Sequence, residues 1–231
     1  EDRPVAVVQG YGPDVGWAML AEACVAVRAG ARWVATNADA TLPSPRGPLP
    51  GNGALVAAVA TTLGRGPDLV VGKPAPGLLQ AAARRQSAHR VLVVGDRLDT
   101  DIEGANRAGM DSLLVLTGVT TPADLLTAPE QQRPTFVAED LGALLAPETA
   151  SRLPDWQGGA AGQGRWRVTV EGCSLVLAGR DGGGDRSDAL RSLARAAWEH
   201  PQWTVIRARD RSAADVLGEL GLSHRFGAKA A

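Results

Sequence analysis

Lysine is the scarcest charge in this chain. Lys73 and Lys229 stand against 22 arginines in 231 residues. A chain so biased towards arginine that still places Lys73 after an apolar run points to a need for a compact ammonium there, although chance accounts for it too. Cysteine is equally sparse: Cys24 and Cys173 lie in apolar stretches and read as reduced core thiols, as expected in the cytoplasm. Neither charge is in excess, with 24 basic against 25 acidic residues, so no nucleic acid and no membrane surface is expected as partner. No apolar run approaches the roughly 18 residues of a transmembrane span. The polar opening Glu1-Asp-Arg-Pro4 enters a strand almost at once, so no signal peptide is expected. His89, His200 and His224 form no spaced pair, which argues against zinc. Ser87 and His89 lack a third member for a serine triad.

What the chain does have is Val91-Leu-Val-Val-Gly-Asp-Arg-Leu-Asp-Thr-Asp101. The valine-rich run reads as a strand buried on both faces. Asp96, Asp99 and Asp101 follow it, and residues 102–109 read as a helix stopped by Gly109. That order puts the carboxylates at the carboxyl edge of a parallel sheet, where ligands of open α/β sheets bind. Oxygen-only ligands favour a hard cation such as Mg²⁺. Asp99 or Asp101 could instead simply cap the helix, a reading as good as the metal one for Asp99 and much weaker for Asp96.

Elsewhere strand and helix alternate. Strands are expected at 5–8, 32–36, 68–71, 112–116 and 135–137. Helices are expected at 17–29, 53–63, 76–86, from 122 and at 140–145. The alternation implies a parallel sheet with crossover helices. Trp17, Leu20, Cys24 and Val27 are expected on one helix face, and Asn52 as the cap of the helix at 53. Residues 148–164, rich in Gly and Pro, read as a linker. Beyond it come a hairpin (166–170 and 174–178), a helix (186–200), a strand (203–206) and a helix (213–220). A unit of about 65 residues is marginal alone and is expected to lean on the rest of the chain or on a partner subunit.

Three further features could carry chemistry. Lys73, in Gly72-Lys-Pro74, could neutralise a phosphate. It and Asp96 follow successive strands separated by one helix, so both are expected on one sheet edge. Thr36-Asn37-Ala38-Asp39 reads either as a structural Asx turn or as a loop reaching towards substrate. Arg97, beside Asp96, reads first as a surface ion pair.

Four stretches together resemble the haloacid dehalogenase superfamily, and within it the type IIA phosphatases of phosphoglycolate, glycerol 3-phosphate, pyridoxal phosphate and sugar phosphates. They are Val-Val-Gly-Lys-Pro-Ala-Pro at 70–76, Val-Val-Gly-Asp-Arg-Leu-Asp-Thr-Asp-Ile at 93–102, Gly-Ala-Asn-Arg-Ala-Gly-Met at 104–110 and Leu-Thr-Gly-Val at 116–119. Residues 33–39 with 49–53 resemble the second half of that subfamily's cap. The resemblance implies an α/β fold: part of a type-C2 cap over 1–70, the carboxyl half of a parallel Rossmann-like core over 71–147, a linker over 148–164, and a small α+β tail over 165–231. It implies a Mg²⁺-dependent phosphomonoester hydrolase of a small phosphorylated metabolite, working through an aspartyl-phosphate. Lys73 would bind the transferring phosphoryl group, Asp96 the metal, with Asp101 and Arg97 in support. Thr36, Asn37 and Asp39, in the loop to Arg46, would face the substrate's leaving group. A homodimer through the cap is compatible with it.

The family's nucleophile motif, Asp-x-Asp-Gly-Thr, has no counterpart here, and the lone Asp-x-Asp is Asp99-Thr-Asp101. The expectation is therefore an amino-terminally truncated, inactive chain. The other reading is a non-catalytic regulatory protein with a ligand-sensing tail. That tail resembles the carboxyl half of a GCN5-type acetyltransferase, but its nearest match to the pyrophosphate turn, residues 180–185, carries Asp181 and Asp185, which would repel a pyrophosphate.

Overall fold

A computed structural model describes residues 3–146, 151–155, 159–180 and 184–222. The chain divides into two compact units, Glu1–Ala88 and His89–Ala231. The division falls later than the boundary at 70/71 read from the sequence, and it places the tail in the same unit as the residues that precede it.

The first unit runs β1 (Ala6–Gln9), α1 (Trp17–Arg28), β2 (Arg32–Ala35), β3 (Thr41–Leu42), β4 (Leu49–Pro50), α2 (Asn52–Leu63), β5 (Leu69–Val70) and α3 (Gly77–Arg85). Its sheet has the order β1-β2-β5, all parallel, with β2 central. β3 and β4 form a separate antiparallel pair. Trp33 is fully buried on β2. Its indole Nε1 donates to Gln9 Oε1 (2.9 Å), and its backbone N–H donates to Asp68 Oδ2 (2.7 Å). That hydrogen bond, ahead of the Arg65 guanidinium, holds the Asp68 carboxyl below its ordinary pKa. Cys24 and Val27 of α1 pack on Trp33 with Val56 and Val59 of α2. Trp17 departs from the expected face: it is 85% exposed. It opens the first turn of α1, ahead of the part that packs on the core.

The second unit runs β6 (Leu92–Gly95), a π-helical turn (Leu98–Ile102), α4 (Glu103–Ala108), β7 (Asp111–Val115), α5 (Pro122–Leu126), β8 (Phe136–Ala138), β9 (Ser151–Arg152), β10 (Ala160–Gln163), β11 (Trp166–Glu171), β12 (Ser174–Gly179), α6 (Arg186–Glu199), β13 (Val205–Ala208) and α7 (Arg211–Glu219). One sheet has the order β6-β7-β8-β9, parallel except for β9; the other has the order β10-β11-β12-β13, with only the β12–β13 pair parallel. The strand buried on both faces is β7, where Leu114 faces the large core and Leu113 and Val115 a smaller one. β6 lies at the end of its sheet, and Leu92 is half-exposed. The stretch read as linker contributes β10, because its small residues lie flat against α6 and β11 with Ala160 and Ala161 buried. Cys24 is buried as expected; Cys173, on the hairpin turn, is exposed.

The large core runs from Leu98 and Ile102 through Leu125, Leu126 and Val137 to Leu177, Leu190, Leu193 and Leu222. The tail thus shares its interior with the preceding α/β segment, as its small size requires. Trp198 Nε1 donates to Leu125 O (3.0 Å), and the Arg133 guanidinium lies 5.1 Å from the Trp198 ring centroid. Among the described residues, no helix is long and apolar enough to cross a membrane.

Candidate functional site

The sequence-derived residues fall into two groups, one in each unit. In the first, Thr36 and Asn37 follow β2, and Gly72-Lys73 follows β5. A β-carbon on Gly72 would overlap Thr36 O and crowd Asn37, so the two strand ends touch only because residue 72 is glycine. Asp39 N donates to Asn37 Oδ1 (3.2 Å), which makes the Asx turn. Asn52 is not a helix cap. Gly51 occupies the cap position, while the buried Asn52 donates through Nδ2 to Asn37 O (2.8 Å) and Gln9 O (3.3 Å). Asn52 thereby ties the ends of β1 and β2 together. Thr36, Asn37, Asp39 and Lys73 are gathered at the carboxyl end of one small parallel sheet.

The second group is built on the end of β6. Asp96 Oδ2 accepts from Val119 N (2.8 Å), and Asp96 O accepts from Thr120 N (3.1 Å) and Thr120 Oγ1 (2.6 Å). The loop after β7 therefore grips Asp96 from its neighbouring strand. A β-carbon on Gly118 would overlap the Asp96 carboxylate. Asp101 is buried; its Oδ2 accepts from Arg97 N (3.1 Å) and packs on Gly95. Arg97 forks onto Asp99, with Nε–Oδ1 3.0 Å and Nη2–Oδ2 2.7 Å. Arg97 N–H aside, the three carboxylates are thus sorted: Asp99 is in an ion pair, Asp101 braces the turn, and Asp96 faces the loop. Ile102 N reaches back to Arg97 O (3.1 Å), which widens the turn into its π form and draws Asp101 under the strand end.

Lys73 and Asp96 do not share a sheet edge, contrary to the sequence expectation. β5 pairs two residues with β2 and β6 pairs with β7, so the strands belong to different sheets in different units. Sequence spacing shows that a helix joins two strands, not that the strands pair.

Asp96 fits one carboxylate of a magnesium site. Oδ2 is held by the loop, and no hydrogen bond to Oδ1 occurs among the described residues. No group of three or more His, Cys, Asp or Glu suited to a metal occurs there either. Mg²⁺ is commonly bound through one or two carboxylates, with water and substrate phosphate completing the shell, so a single Asp is a compatible donor.

Sequence reasoning missed the partners that do the holding: Val119 and Thr120 on Asp96, and Asn52 on the first group. The Thr117-Gly-Val119 run after an apolar strand was the available signal for the former.

Residues 70–144 match the HAD-hydrolase-like family model, and residues 163–222 match the GCN5-related N-acetyltransferase like domain. The chain is 47% identical over 208 residues to the D-glycerol 3-phosphate phosphatase of Mycobacterium tuberculosis, covering 86% of this chain and 56% of that protein. Residues 70–144 thus resemble the haloacid dehalogenase hydrolases. The chain resembles the crystal structure of glycerol phosphate phosphatase from Mycobacterium tuberculosis in complex with magnesium, with a TM-score of 0.84 and 44% identity, over 96% of this chain and 64% of that one. It also resembles a 4-nitrophenylphosphatase from Thermotoga maritima, with a TM-score of 0.58 and 39% identity, over 62% of this chain and 55% of that one. The chain spans somewhat over half the length of the curated relatives it matches. The matched range takes in both the Gly72-Lys73-Pro74 turn and the Asp96 turn.

Proposed function

We propose that this chain supplies the metal- and phosphate-handling part of a type IIA phosphatase of a small phosphorylated metabolite, in the phosphoglycolate, glycerol phosphate or sugar phosphate class. The observation that carries the reading is Asp96, placed at the carboxyl end of a parallel strand with one oxygen fixed by Val119 N. Mg²⁺, when bound there, offsets charge on phosphoryl oxygens. Asp101 and Arg97 keep the turn in shape, the first through Arg97 N and the second through Asp99. Lys73 would bind phosphoryl oxygens as a point charge. Thr36, Asn37 and Asp39, tied together by the Asx turn and by Asn52, would face the leaving group.

The 231 residues hold no Asp-x-Asp-Gly-Thr, and Asp99 and Asp101 are committed to Arg97. By itself the pure chain is therefore expected to form no phosphoaspartate and to release no phosphate from glycerol phosphate or 4-nitrophenyl phosphate with Mg²⁺ present. Metal-dependent release abolished by Asp96→Ala would refute the inactivity. Titration with Mn²⁺, followed by broadening of the Val119 amide resonance, tests the metal reading; the effect should vanish in Asp96→Ala. Silence in the wild type would favour the regulatory reading.

The same reading includes a homodimer through the first unit, supported by the exposed Trp17, Met19 and Val25 along α1. Sedimentation of Trp17→Glu against wild type tests it: a monomer in both removes the dimer.

A further inference from the structure

We infer that helix α6 of the tail is a positioning element for the Asp96 loop, acting through Glu139. The inference rests on the metal reading for its purpose, but not for its geometry. The loop that grips Asp96 is itself anchored on the end of β8, where Leu116 N donates to both Ala138 O (3.2 Å) and Glu139 O (3.1 Å). The same strand end is held from the other side by the tail. Arg186 Nε and Nη2 fork onto Glu139 Oε1 and Oε2 at 2.6 and 2.9 Å, and Ser187 Oγ adds a third bond at 3.1 Å. One turn further along α6, the fully buried Arg191 donates through Nη1 to Val137 O (2.7 Å) and through Nη2 to Asp188 Oδ1 (2.6 Å).

Two guanidiniums from one helix thus fix Val137 and Glu139, and the residue between them receives the loop. A cleft of about 680 Å³ is lined by Leu116, Thr117 and Thr121 on the loop, by Arg186, Ser187 and Leu190 on α6, and by Glu139. A planar fork onto a carboxylate constrains orientation as well as distance. An ion pair as exposed as Arg186–Glu139 contributes little to global stability, so orientation is what it has to offer. Arg186 and Glu139 are positioning residues; neither has been placed at the metal.

The test is amide hydrogen exchange across the full chain in Arg186→Ala. Exchange at Val119 and Thr120, whose N–H groups bond Asp96, should rise about fivefold while Leu177 and Leu193 in the shared core keep their protection. Arg186→Lys should recover part of the effect, and Arg195→Ala, which removes an ion pair with Glu199 on the same helix, should have none. Unchanged exchange at Val119 and Thr120, or an equal rise at Leu193, overturns the proposal. Broadening by Mn²⁺ separates this inference from the one it serves. A wild type silent to Mn²⁺ that still shows the local exchange response supports positioning and sinks the metal reading. The converse result, broadening that is identical in wild type and Arg186→Ala with no exchange response, keeps the metal and sinks positioning.

Discussion

The two units bury their apolar residues very differently. In the first, a core of six buried residues gathers around Trp33, while Val5, Val8, Trp17, Met19 and Val25 lie exposed. In the second, one continuous interior runs from Leu98 to Leu222 and crosses from the HAD-like segment into the acetyltransferase-like one. The contrast teaches that similarity to two family models need not mean two folding units. Buried side chains, not family boundaries, decide what holds together.

The largest expected effect breaks the smaller core. Trp33→Ala removes its central side chain and the indole hydrogen bond to Gln9 Oε1, and should cost about 3–5 kcal/mol, read as loss of exchange protection in 6–63 with 89–222 unaffected. Leu190→Ala tests the continuity of the larger core. It should cost about 2–5 kcal/mol, and protection at Leu114 and Leu177 should fall together in urea; loss confined to Leu177 would split the unit in two. Gly118→Ala should leave the fold near wild type yet weaken Mn²⁺ binding at least tenfold, a loss of about 1.4 kcal/mol, because the new methyl displaces the Asp96 carboxylate.

A smaller effect concerns acid. The Arg186 fork, with Ser187 adding to it, holds the Glu139 carboxyl below its ordinary pKa, and Glu139 in turn raises that of Arg186. A depressed carboxylate contributes stability above its unfolded pKa and loses it as pH falls through its folded value. The stability difference between wild type and Glu139→Gln should therefore shrink as pH drops below the glutamate range, as measured by urea melts at several pH values. Smallest of all, Trp17→Ser should change the stability of the dilute monomer by no more than about 0.5 kcal/mol, since the ring lies outside the core of its own unit.

Much of this was legible beforehand. The apolar run before Asp96, the Gly-Lys-Pro turn and the alternation of strand and helix are local signals, and β6, β7 and their flanking turns appear where periodicity placed them. Pairing is not local. Nothing in the spacing of Leu69-Val70 and Leu92-Gly95 distinguishes one sheet from two, because which strand lies alongside depends on residues far away. Ala160-Ala-Gly-Gln163 was misread for the opposite reason: small residues look like linker until a helix packs over them. Trp17 and Cys173 were misplaced because hydrophobic character was taken as burial at positions where the element had already left the core. The nearest match to a pyrophosphate turn, residues 180–185, lies partly outside the described residues, at 181–183, and His224 lies outside them altogether.

A continuous interior has one more consequence. A protease cut between Ala146 and Ser151 would sever the backbone without opening the seam of Leu125, Leu126, Val137, Leu190 and Leu193. The two pieces should therefore co-purify after nicking and, when expressed separately, find each other by fragment complementation.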